Sequence, residues 1–93
     1  MKIFITTHGD YEWNHISLCT TDFEKAVAHF LEYSRTAWYN SMSNMDIWED
    51  NKEYHSYGSW NGDLINCGRN KSITLDELRD DILLSLKKAG KRL

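Results

Sequence analysis

The chain has 93 residues, 41% hydrophobic and 27% charged, with a net charge of −3, the proportions of an ordinary globular protein. That length supports one modest core, so a single domain over residues 1–93 is expected. No run approaches the ~20 apolar residues of a membrane span, the opening MKIFITTHGD lacks a signal-peptide pattern, and two cysteines make no disulfide framework. Cys19 and Cys67 read as reduced thiols of a cytosolic protein, with one bridge between them as the alternative.

The charge is unevenly spread. Residues 8–66 hold ten acids against three bases, whereas residues 67–93 hold seven bases against four acids. An acidic body argues against a broad nucleic-acid face and suits a basic partner surface.

Residues 2–7 (KIFITT) are β-branched and aromatic, which predicts a strand, central because Ile3, Phe4 and Ile5 are all apolar. His8, Gly9 and Asp10 predict a turn. Residues 13–19 then alternate as an antiparallel partner. His15, Ser17 and Cys19, with Tyr11 and Trp13 before them, fall on one face, and Ile16 and Leu18 on the other. Thr21 followed by Glu24 fits a capping box, and Phe23, Ala26, Val27, Phe30 and Leu31 line one face of a helix over residues 21–34.

Residues 35–43 read as a connection that extends the helix as far as Trp38. Residues 44–49 (NMDIWE) predict a third strand, with Met45 and Ile47 inward and Asp46 and Trp48 outward. Residues 50–62 read as an aromatic loop with turn residues at both ends, and residues 63–67 (DLINC) as a short fourth strand. Thr74 and Glu77 repeat the capping-box pattern. Leu75, Leu78, Ile82, Leu86 and Ala89 form a second stripe, with Gly90 at the position after the helix. The expected fold class is α+β: a small antiparallel sheet of three or four strands, a helix after strand 2 and a C-terminal helix, ββαβ(β)α.

No motif carries a chemistry. The order His8, His15, Cys19, His29, His55, Cys67 contains no zinc-ligand spacing, so no metal and no cofactor are expected. Cys19 with His15 or His29 is an imaginable nucleophile–base pair, but no nucleophile elbow, P-loop or dinucleotide fingerprint is present. A small metal-dependent or cysteine enzyme using His15, Cys19 or His55 is the weaker alternative, and a non-enzymatic protein is expected.

The stretch WEDNKEYHSYGSWNGD mixes aromatics with small polar residues and acids, as binding loops do. It nominates Trp48, Glu49, Asp50, Glu53, Tyr54, Tyr57 and Trp60 as partner-binding residues, the aromatics as anchors and the acids for steering. The competing reading has Tyr54, Tyr57 and Trp60 covering an edge of the core; Trp13, Trp38 and Tyr39 carry the same two readings. Arg69, Lys71, Lys87, Lys88, Lys91 and Arg92 are the candidate phosphate contacts of a nucleic-acid-facing protein, whose other form would be an acidic DNA mimic. The cations at the helix end equally complement its dipole.

Met1 to Thr7, then Gly9, Asp10 and Tyr11, then Asp22 to Ala26 make a strand, a Gly/Asp/Tyr turn, a second strand and a D-x-E-K-A helix start. Residues 1–33 thereby resemble a loose group of short bacterial and phage proteins, and Ile47, Trp48 and Glu49 also look similar. The likeness covers about a third of the chain and departs from the group in the aromatic loop and the C-terminal helix. It carries over no catalytic residue. It implies a small stand-alone domain of a phage or mobile element. The expected function is a module that binds a host protein in a bacterial cytoplasm, of the anti-CRISPR or anti-restriction type. A homodimer is an open alternative.

Overall fold

The computed structural model describes residues 1–9, 14–35, 42–58 and 73–93. The β-branched N-terminal run forms β1 (Lys2–Gly9), which pairs on one side with β2 (Asn14–Thr20) and on the other with β3 (Met42–Glu49). β4 (Lys52–Gly58) follows β3, giving one antiparallel sheet in the order β2-β1-β3-β4. α1 (Phe23–Arg35) and α2 (Leu75–Lys88) complete an α+β fold of four strands and two helices, the class read from the sequence.

Both helices lie on the same face of the sheet. Ala26, Val27, Phe30 and Leu31 of α1 and Leu78, Ile82 and Leu86 of α2 are buried against Phe4, Met45, Ile47 and Tyr57. Phe30 meets the Tyr57 ring edge-on at 6.0 Å, and Phe23 packs on Phe4 at 5.3 Å. Burying such side chains contributes roughly 1.5–3 kcal/mol each. The second stripe is narrower than expected. Leu75 is 36% exposed at the first helical position, and Ala89 is the exposed C-cap. Among the described residues no helix is long and apolar enough to cross a membrane.

β1 is central, and among the described residues both helices cover the same one of its faces. Phe4, Thr6 and His8 are buried while Ile3 is 38% exposed, so its apolar run is not a strand buried on both sides. The strand also runs through His8 and Gly9, where the sequence predicts a turn, because both pair with β2 and β3. A bulge in β2 changes its faces. The register passes from Thr6↔Leu18 to Thr7↔Ile16, leaving Ser17 as the extra residue, with its Oγ 3.0 Å from Thr6 Oγ1. Leu18 and His15 therefore share the helix side, and Ile16 and Cys19 the other, which overturns the simple alternation.

The helix caps follow local chemistry. At α1 the cap is Asp22 and not Thr21. Its Oδ1 accepts from Lys25 N at 3.2 Å, and its carbonyl accepts the first helical bond from Ala26 N. Glu24 is thereby freed from the predicted capping box and accepts instead from Arg79 of α2 at 3.0 Å. At α2 the predicted box forms in full between Thr74 and Glu77. That helix ends in a Schellman turn: Gly90, at φ 72°, donates to Lys87 O, and Lys91 N donates to Leu86 O.

The aromatic segment after β3 is a strand, correcting the loop predicted there. Asp50 and Asn51 both take positive φ, 54° and 66°, which makes the tight two-residue turn that matches strand twist. The predicted strand at residues 63–67 and the extension to Trp38 lie outside the described residues, as do Tyr11, Trp13, Tyr39 and Cys67.

Candidate functional site

The β3–β4 turn sets out the nominated residues by parity and by one bulge. The ladder runs Ile47↔His55 and then Trp48↔Glu53, so Tyr54 is the extra residue in β4. Trp48 and Glu53 face away from the helices beside Ile3, which pairs with Trp48. Trp48 is 37% exposed, and Glu53 and Asp50 are exposed beside it. Cys19 pairs with Ile5 on the same helix-free side and presents an exposed thiol, unpaired among the described residues.

Tyr57 is not a partner anchor. It has no exposed surface, and its hydroxyl donates to Asp81 Oδ2 at 2.6 Å. Its register partner Met45 is on the core side, and so therefore is Tyr57. Tyr54 is half-buried and serves the fold as well. Its hydroxyl donates to Arg92 O at 2.7 Å and accepts from Arg92 N at 3.1 Å, which pins the C-terminal residues. Lys2 Nζ and Lys91 Nζ lie 4.8 and 5.3 Å from its ring centre. Tyr57 thus lies in the core, and half-buried Tyr54 packs against its edge.

Glu49 is half-buried and accepts from Lys2 Nζ at 2.9 Å. That hydrogen bond holds its carboxyl below the usual range and raises the lysine. The acids left for a partner near Trp48 are Asp50 and Glu53. Trp60, Arg69 and Lys71 lie outside the described residues. Lys87, Lys88, Lys91 and Arg92 cluster at the end of α2, all exposed, with Lys91 Nζ donating to Tyr54 O.

At the opposite end of β1, His8 is 8% exposed with Nδ1 2.9 Å from Ser43 Oγ. The His29 and Phe30 rings are 6.3 and 6.0 Å away. Burial first, then the neighbouring His29 and His15, push its pKa down to about 4. His15 and Cys19 sit on opposite faces because of the bulge, so they form no nucleophile–base pair. Among the described residues no three His, Cys, Asp or Glu side chains are grouped to hold a metal.

The residue that sequence reasoning missed is Ile3. Its signal was the number of helices: two single-stripe helices cover one face of a four-stranded sheet, leaving alternate residues of β1 outside. Compared with family models, curated proteins and solved structures, the chain matches none. The chemistry of the site rests on its side chains: an indole and an aliphatic side chain flanked by carboxylates.

Proposed function

We propose that this chain is a non-enzymatic protein-binding module, a phage-type inhibitor acting in a bacterial cytoplasm on a host defence complex of the CRISPR or restriction kind. Its contact surface is the helix-free side of the β3–β4 end. The observation that carries this reading is Trp48 beside Ile3, 37% and 38% exposed, with Glu53 and Asp50 at the margin. Partly exposed aromatics on a rigid strand lose little entropy on binding and act as anchors. Free carboxylates around them favour a partner surface carrying Lys or Arg.

Trp48→Ala weakens partner binding by about 2 kcal/mol, while Glu53→Lys mainly slows association and removes its salt dependence. The experiment is a pull-down from bacterial lysate with mass spectrometry, comparing the native chain with Trp48→Ala/Glu53→Lys. One stoichiometric protein partner, retained by the native chain and lost by the variant at equal thermal stability, supports the reading. Capture of nucleic acid instead, through the cations of α2, replaces it with the phosphate-binding alternative.

A further inference from the structure

The residues after α2 are built into the fold from two sides. The Tyr54 hydroxyl holds the Arg92 backbone through both its carbonyl and its N–H. The Schellman turn holds Gly90 and Lys91, which donate to Lys87 O and Leu86 O. Between these elements opens a groove of about 590 Å³, a size that takes a drug-sized ligand or a few side chains. Leu83, Leu86, Leu93 and Tyr54 give it an apolar lining, Lys87 and Arg92 give it charge, and no acid lines it. Leu83 and Leu93 are 39% and 43% exposed. Lys91 Nζ is engaged by Tyr54 O. Lys87 and Arg92, by contrast, make no ion pair among the described residues.

We propose that this groove binds an acidic, aliphatic peptide segment of a partner protein, its apolar side chains on the leucines and its carboxylates on Lys87 and Arg92. Partly exposed leucines gain from an aliphatic ligand. The unpaired cations require anions on that ligand, and a guanidinium matches a carboxylate through two parallel hydrogen bonds. A nucleic acid would satisfy the cations and leave the leucines uncovered. Nor is Tyr54 a free platform for base stacking, since Lys2 Nζ and Lys91 Nζ already lie 4.8 and 5.3 Å from its ring centre. A bilayer is flat, whereas these leucines line a recess. The backbone around the groove is tied by hydrogen bonds, so little order has to be gained on docking. The groove belongs to the helix side of the sheet and Trp48 to the other, so it is a second contact site.

The test is a random peptide-display selection on the purified chain. Peptides that combine Asp or Glu with Leu, Ile or Met are enriched, and synthetic copies of them bind more weakly as salt rises. Lys87→Gln/Arg92→Gln and Leu83→Ser each weaken the synthetic peptides by about tenfold or more, with circular dichroism unchanged. Arg92→Gln keeps the Tyr54 contacts, because those are made to the Arg92 backbone. Trp48→Ala leaves this binding unchanged, so the groove and the Trp48 surface stand or fall separately. A selection that enriches no such peptide, or peptides that bind the groove variants as well as the native chain, overturns the proposal. So does tighter groove-dependent binding of a single-stranded oligonucleotide or of phosphatidylglycerol vesicles. Self-association of the native chain that the groove variants abolish would overturn it too, giving the groove to a second copy.

Discussion

Tyr57 shows how one side chain serves two layers. Its ring fills the space between Phe30 and the sheet, and its hydroxyl crosses to Asp81 on α2. Tyr57→Phe keeps the ring and removes a charge-assisted hydrogen bond. Asp81 stays half-exposed and regains water, so the cost is about 1.5 kcal/mol, the low end for such bonds. Tyr57→Ala also leaves a cavity and costs about 3–5 kcal/mol. Urea unfolding of both variants checks this, and equal costs would remove the packing role. The assignment was half legible: aromatic density marked the segment, but only register distinguishes an inward Tyr57 from an outward Glu53. The Asp50-Asn51 pair was the readable clue, since both residues tolerate positive φ in a hairpin turn.

His8 gives the fold a dependence on pH. Neutral in the fold down to about pH 4, it protonates in the unfolded chain below about 6.5. The unfolded state then binds more protons, so stability falls as pH drops through that window and is intact above it. The full loss is about 3 kcal/mol once pH is below both values. In urea titrations at about pH 7.5 and about pH 4.5, His8→Gln flattens this slope. An unchanged slope would assign the effect to other groups.

At the scale of elements, helices were legible because their signals are local. The Thr74–Glu77 box, the stripe of Leu78, Ile82 and Leu86, and Gly90 all sit within one segment of chain. The cap of α1 moved by one residue because Thr21, Asp22 and Glu24 offer two overlapping cap patterns, and Asp22 is the stronger N-cap former. Strands were less legible because their partners are distant: bulges at Ser17 and Tyr54 shift which residues face the core. β4 ends at Gly58, where φ is 152° and an added Cβ would press on Ser43 O, Asn44 Oδ1 and the Asn44 Cα. All are backbone or buried neighbours in β3 with little room to retreat. Gly58→Ala therefore costs more than about 2 kcal/mol, combining backbone strain with overpacking. Thermal melts against Gly90→Ala provide the control, since an added Cβ at Gly90 meets nothing within 4 Å and only the φ of 72° is strained.

For the whole molecule, the sheet order decides both where stability concentrates and where a partner has access. β1 and β3 are flanked by strands on both sides, β2 and β4 on one, and both helices press on the same face. Opening β1 breaks two ladders and exposes Phe4 beneath α1; opening β2 breaks one ladder, already interrupted at Ser17. Amide exchange should therefore be slowest in β1 and β3, where opening requires global unfolding, and faster in β2, which opens by a smaller local step. The helix-free face at Trp48 lies on the slow half of this pattern. A contact surface there is preformed, so partner binding leaves the exchange of β3 nearly unchanged and slows the edge strand β4. Exchange measured by NMR, with and without partner, reads both effects. Slowest exchange in β2, or β3 amides that become protected only on binding, would mean that the surface is ordered by its partner and that the rigid-anchor argument for Trp48 fails.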